Sequence, residues 1–227
     1  IRMSKAVDAL RDSHADFNRN QKPVDFTDPI LGFHQWFDEA VAGKHIEPNA
    51  MTLSTVNGQG MPSARIVYLK EISDQKFVFY TNYQSQKGRE LIQNPNASLL
   101  FFWPVLERQI RVEGRVTLLD PKESDAYFAS RPRESQLGAW ASQQSEALGT
   151  EEELLARFQA YDQQFPDLVP RPPHWGGMAL DPSYIEFWQG RSSRLHDRIK
   201  YTLENSAYNA ATDTRTDLNW KIERLAP

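Results

Sequence analysis

The spacing of apolar residues changes along the chain, and each change marks a different kind of element. Residues 1–27 are polar with sparse apolar positions and read as a mobile arm with at most one short helix, around Ala6–Phe17. Leu31, Trp36, Phe37, Ala40 and Val41 then recur at helical spacing. Asp28 is placed to cap that helix, Pro29 suits its first turn, and Gly43 marks its end. From Ala50 the spacing shortens to strands. Met51–Val56 leads into the turn Asn57-Gly58-Gln59-Gly60, and Ser63–Lys70 returns. Lys76–Thr81, Ala97–Trp103 and Arg108–Leu118 are further strands; in the last, Gln109, Arg111 and Glu113 share one face while Ile110 and Val112 take the other. Ser85–Gln93 is a short helix stopped by Asn94-Pro95. Asp120-Pro121 repeats the cap-then-proline start, opening a helix through about Ser130, and Glu151–Phe165 is an amphipathic helix followed by a proline-rich connector, Pro166–Pro173.

The C-terminal third returns to strands at Gly177–Leu180, Tyr184–Gln189, Leu195–Leu203 and Leu218–Arg224, with a polar loop, Glu204–Asp217, between the last two. No internal repeat and no separating linker interrupts the chain. Many strands joined by hairpins, with helices inserted between them, predict a mainly β (α+β) fold: an antiparallel barrel with peripheral helices, as one domain over residues 28–227.

Composition narrows the function classes. A hydrophobic fraction of 40% and a charged fraction of 25% over 227 residues describe an ordinary globular chain. No apolar run reaches the roughly 20 residues of a membrane span, and the first residues lack the apolar core of a signal peptide. The absence of cysteine excludes thiolate chemistry and suits a reducing, cytoplasmic setting. A net charge of −4 argues against broad nucleic-acid binding. There is no glycine-rich phosphate loop, no histidine pair at metal-ligand spacing and no nucleophile elbow, so no metal is expected.

Against that acidic background, Glu186–Arg198 is anomalous: Arg191, Arg194, His196 and Arg198 crowd behind Phe187 and Trp188. An anionic ligand with a planar ring would explain them, since arginine presents a fixed fork of donors to phosphate or carboxylate; a solvated strand is the plain alternative. Arg65 and Lys70 are an odd number apart on one strand and so would face opposite sides. Gln86, Lys87 and Arg89 open a helix whose N-terminus favours an anion, or they are simply solvated. Tyr127, Arg131 and Ser135 recur every four residues, which lines one face if the helix continues past Ser130; Pro132 disfavours the helical conformation at Arg131, which leaves convergence in a turn as the open alternative.

The motifs R-I-V-Y-L-K at 65–70, F-Y-T-N at 79–82, E-R-Q-I-R-V-E-G at 107–114 and S-R-P-R-E-S-Q-L-G-A-W at 130–140 occur in that order. They are followed by Q-S at 144–145, W-G-G at 175–177, E-F-W-Q-G at 186–190, R-L-H-D-R at 194–198 and the terminus W-K-I-E-R-L-A-P. From about Asp28 to Pro227 the chain closely resembles the pyridoxine/pyridoxamine 5'-phosphate oxidases. The resemblance implies an FMN-binding split β-barrel, homodimeric, with each flavin held between subunits. It also implies oxidation of pyridoxine 5'-phosphate and pyridoxamine 5'-phosphate to pyridoxal 5'-phosphate, with O2 reduced to H2O2. A non-catalytic carrier of flavin or pyridoxal phosphate on the same fold is the alternative.

Carried over by position, the resemblance assigns FMN contacts to Arg65, Ile66, Val67, Tyr68, Leu69, Lys70, Tyr80, Thr81, Lys87 and Gln109. Gln86 stands where the family motif carries a cation. From the other side of the interface it adds Gln144, Ser145, Trp188 and Arg198. Lys70, Tyr127, Arg131 and Ser135 would hold the substrate phosphate, with Arg194, Leu195 and His196 over the substrate ring. Arg194 and His196 are the expected catalytic pair, and Arg11 and His14 are the nearest equivalents of the arm residues that close over the substrate. Arg191 has no assignment, and Arg89 is a possible replacement for the cation missing at Gln86.

Overall fold

The computed structural model describes Phe17, residues 23–209 and residues 214–227, the side chains of 205–217 excepted. The helix proposed around Ala6–Phe17 and the candidate residues Arg11 and His14 lie outside the described residues. Helix α1 (Pro29–Ala42) is capped by the Asp28 carboxylate, which accepts from the N–H groups of Ile30 and Leu31. Its buried face is Ile30, Phe33, Trp36 and Ala40, whereas Leu31 and Val41, expected on that face, point outward.

Among the described residues nine strands build one antiparallel sheet: β1 (Ala50–Val56), β2 (Pro62–Tyr68), β3 (Glu71–Ser73), β4 (Lys76–Asn82), β5 (Asn96–Trp103), β6 (Arg108–Leu118), β7 (Trp175–Gln189), β8 (Asp197–Asn209) and β9 (Thr214–Leu225). The order is β2-β1-β5-β6-β7-β4-β3, and β8 pairs with both β7 and β9. The curled sheet forms a half-barrel around α1. Phe33 fills it, meeting the Phe77 and Phe101 rings edge-on at 5.0 Å each, among buried Leu53, Leu99, Ile110, Val112, Ile185 and Phe187.

The two strands expected at Gly177–Leu180 and Tyr184–Gln189 are halves of β7. One edge of β7 pairs with β6 from Met178 to Gln189; the other pairs first with β4 and then with β8. The change of partner falls at Asp181-Pro182-Ser183, opposite a register shift at Glu113/Gly114. Pro182 has no ladder donor. A Cβ on Gly114 would lie 2.0 Å from the Asp181 carbonyl oxygen, so the backbones touch there. The polar loop expected at Glu204–Asp217 is also corrected: β8 and β9 continue into it, pairing Ala207 with Thr216 and Asn209 with Thr214. Backbone pairing between the two strands extends the hairpin there.

Helices α2 (Gln86–Gln93), α3 (Pro121–Ser130), α4 (Arg133–Ala141) and α5 (Glu151–Gln164) lie outside the half-barrel. Phe128, Leu137, Val169 and Trp175 form a second buried cluster that fixes α3 and α4 against β7. Among the described residues no helix is long and apolar enough to cross a membrane.

Candidate functional site

A cavity of about 740 Å³ opens between β2, β4, the start of α2 and the α3–α4 corner. Its wall includes Arg65, Ile66, Val67, Tyr68, Lys70, Tyr80, Thr81, Gln86, Lys87, Tyr127, Arg131, Ser135, Gln144 and Ser145, all expected from the sequence. Strand β2 stops at Tyr68, which releases Lys70 from strict alternation, so Lys70 and Arg65 reach the same space. Leu69 is the exception in that run: it is buried in the core and does not line the cavity. Asn82 and Trp175 also line it, although neither was singled out from the sequence.

Lys87 is buried, at 8% exposure, and its Nζ donates to Ser85 Oγ at 3.3 Å and Gln144 Oε1 at 3.2 Å. Burial, and then the nearby Arg65 charge, lowers its pKa to about 8. The first turn of α2 reaches this position because residue 88 is glycine; a Cβ there would lie 2.3 Å from the Tyr83 carbonyl oxygen. Gln86 donates to Glu90 at 2.9 Å. Arg89 does not compensate for the missing cation, because it bonds Gln84 O at 2.5 Å and Glu146 at 2.6 Å beside a different hollow.

The second cationic group is Arg131. Helix α3 ends at Ser130, Arg131 is extended (φ −75°, ψ 150°), and α4 starts after Pro132. Tyr127, Arg131 and Ser135 therefore converge around a corner, the alternative that Pro132 left open, and not along one helix. The Arg131 guanidinium lies 4.5 Å from the Trp175 ring centroid. Its Nη1 is buried without a hydrogen-bond partner among the described residues, and burial pulls its pKa down despite Tyr127. Tyr127 stacks on Tyr80 at 3.7 Å, and burial first pushes the Tyr80 hydroxyl up to about 12, so it stays protonated. An arginine resting on aromatic faces keeps donors free for an anion.

The C-terminal cations are arranged differently. Gln109, Trp188 and Arg198 are neighbours across β6, β7 and β8 and line a separate hollow of about 240 Å³. The expected division is thus redrawn within the chain: Gln109 belongs with Trp188 and Arg198, while Gln144 and Ser145 belong with Lys87. Arg198 donates to buried Glu186 at 2.8 Å, and Arg111 reaches the same carboxylate at 3.0 Å. Burial pushes Glu186 up, but bonds from Arg198 and Tyr184 and both arginine charges outweigh it and hold its carboxyl low.

Arg191 is not merely solvated. Its Nη2 meets buried Asp197 at 3.4 Å, and Asp197 also accepts from Val24 N–H at 2.9 Å and from Arg224. Two acids inside or beside the basic segment therefore relieve the crowding that its sequence shows. Arg194 remains exposed at positive φ (59°), with no ion pair among the described residues, and Leu195 beside it is 67% exposed. His196 Nδ1 accepts from Arg191 N–H at 3.1 Å, and its ring lies 4.6 Å from Trp188 and 5.5 Å from Phe17. Burial, then Arg194 and Arg198, lowers its pKa, so the imidazole is neutral near pH 7 and carries its proton on Nε2.

The chain is similar to known proteins over most of its length. Residues 37–165 match the family described as pyridoxamine 5'-phosphate oxidase, and residues 175–227 match the pyridoxine 5'-phosphate oxidase C-terminal dimerisation region. The chain is 52% identical over 200 residues to a pyridoxine/pyridoxamine 5'-phosphate oxidase of Burkholderia lata, covering 88% of this chain and 89% of that protein. It is 47% identical over 226 residues to the same-named protein of Nostoc sp. PCC 7120, covering 99% and 100%. Among solved structures, PhzG from Burkholderia lata 383, in complex with tetrahydrophenazine-1-carboxylic acid, superposes with TM-score 0.78 at 31% identity over 90% of this chain and 98% of that one. A pyridoxamine 5'-phosphate oxidase-related, FMN-binding protein of Nostoc punctiforme shares the fold, with TM-score 0.68 at 18% identity over 89% of this chain and 100% of that one. The chain belongs to the pyridoxine/pyridoxamine 5'-phosphate oxidase family.

Proposed function

We propose that this chain oxidises pyridoxine 5'-phosphate and pyridoxamine 5'-phosphate to pyridoxal 5'-phosphate, with FMN as cofactor and O2 as electron acceptor, giving H2O2. The observation that carries the reading is a pair of cations, Lys87 and Arg131, without carboxylate partners among the described residues, on one cavity wall. Two such groups fit two phosphorylated molecules side by side. The donor set also fits FMN, since buried Lys87 lacks an anion among the described residues and Thr81, Gln144 and Ser145 add neutral hydrogen-bonding groups around it. FMN, when bound, supplies the two-electron chemistry; the protein supplies binding, orientation and charge.

In this reading Arg131, with Tyr127, Ser135 and Lys70, holds the substrate phosphate. His196 donates from Nε2–H, because its Nδ1 is already occupied by the Arg191 N–H. Arg194, whose guanidinium has no ion pair among the described residues, positions the reacting 4′ group and stabilises negative charge developing there. Gln109, Trp188, Arg198 and the Arg194–His196 turn lie outside the cavity wall. With residues 175–227 matching a dimerisation region, we infer a homodimer in which these residues complete the site of the other copy.

Incubating FMN-loaded protein in air with each phosphorylated vitamer, and measuring pyridoxal 5'-phosphate and peroxide together, tests the proposal. Equal amounts of both products are expected. Retained flavin with no product would favour the carrier reading; a carrier of flavin alone leaves the second cation, Arg131, without a task.

A further inference from the structure

Glu90 is a buried carboxylate for which the chemistry above has no use. It sits on α2 one turn after Gln86 and does not line the cavity, yet it holds three residues that do. Its Oε2 accepts from Ser63 Oγ at 2.7 Å and from Arg65 Nη2 at 3.3 Å, and its Oε1 accepts from Gln86 at 2.9 Å. Thr55 Oγ1 donates to it as well. Burial alone would raise its pKa, but the bonds from Thr55, Ser63 and Gln86, with the Arg65 charge, outweigh this and lower it to about 2. Glu90 is therefore ionised at any working pH. The other guanidinium donors of Arg65 go to Leu53 O at 3.0 Å, Thr55 Oγ1 at 2.6 Å and Ser63 Oγ at 2.5 Å.

We propose that Glu90 sets the affinity of the Lys87 end of the cavity for phosphate. It neutralises Arg65 from behind the wall, so that Lys87 is left to supply the attraction for an anion. Gln86 is the second half of the device. Its side chain already points to Glu90, so an arginine at position 86 would meet the same carboxylate and be largely neutralised too. The proposal rests on the flavin reading and deepens it: Glu90 distinguishes a phosphorylated flavin from a neutral one by charge, without touching either.

The test is an equilibrium titration of the flavin-free full chain with FMN and with riboflavin, which carries the same ring and no phosphate, followed by flavin fluorescence. Glu90→Gln keeps the side-chain size and an acceptor oxygen for Thr55 and Ser63. It is expected to tighten FMN by about tenfold and to leave riboflavin within roughly twofold, the effect of one charge acting across a partly buried site. Equal shifts for both flavins, or weaker FMN binding, would overturn the proposal in favour of a purely structural role. Gln86→Arg in the parent background decides the matter if Glu90→Gln does not fold. Less than about a threefold gain in FMN affinity supports neutralisation by Glu90, and any larger gain overturns it. A parent protein that binds neither flavin overturns the flavin reading itself, a result distinct from any difference between variants.

Discussion

If Lys87 holds the FMN phosphate as proposed, its buried charge makes FMN binding depend on pH in a definite direction. Burial lowers its pKa from 10.5 to about 8, a difference of roughly 3 kcal/mol between its protonation states. Its folded pKa lies below its unfolded value, so the cost of burying the charge is fully present below pH about 8 and is relieved as pH rises towards 10.5. A phosphate beside Nζ favours the charged form and raises the pKa again. Above pH about 8, binding must therefore take up a proton. FMN affinity should fall by about tenfold between roughly pH 7 and pH 9, while riboflavin affinity stays flat. Lys87→Met should weaken FMN binding and abolish the slope. Fluorescence titrations across this range measure the affinity, and calorimetry in two buffers of different ionisation enthalpy counts the proton. FMN affinity that is constant from roughly pH 7 to pH 9, or an unchanged slope in Lys87→Met, refutes the argument.

Other perturbations separate the remaining parts of the site. Arg131→Ala removes charge-assisted bonds worth about 1.5–3 kcal/mol and should raise KM for the phosphorylated substrates by roughly 10- to 100-fold with little change in kcat, checked by steady-state kinetics. Arg194→Ala should instead lower kcat by on the order of 100-fold at saturating substrate; normal turnover there contradicts its role. Gly88→Ala drives a Cβ into the Tyr83 carbonyl, so thermal unfolding should show a loss of about 1–3 kcal/mol, and FMN affinity should fall with it because Lys87 moves.

Local signals in the sequence were enough for most elements. Asp28-Pro29 and Asp120-Pro121 announce helices that start there, and Pro132 leaves open the corner that brings Tyr127, Arg131 and Ser135 together. The burial of α1 was less legible: five apolar residues suggested one face, but Leu31 and Val41 fall outside it once Phe33 enters the half-barrel. The β8–β9 extension left no pattern because its strands satisfy each other's backbones. The grouping of Gln109 with Trp188 and Arg198 is a property of sheet order, which residue spacing does not carry. The basic segment misled in one respect. Glu186 and Asp197 were in view, but nothing in one dimension shows them turned inward beneath Arg198 and Arg191. Glu90 was the nearest miss, since its place four residues after Gln86 on a helix predicts the contact the structure shows.

The most direct test of the central claim is to mix FMN-loaded protein with pyridoxine 5'-phosphate in the absence of oxygen and then admit air. The account predicts that the visible flavin absorption bleaches with formation of one equivalent of aldehyde per flavin, and that air restores the colour with an equal amount of peroxide. Flavin that stays oxidised, with pyridoxine 5'-phosphate bound and unchanged, would contradict it.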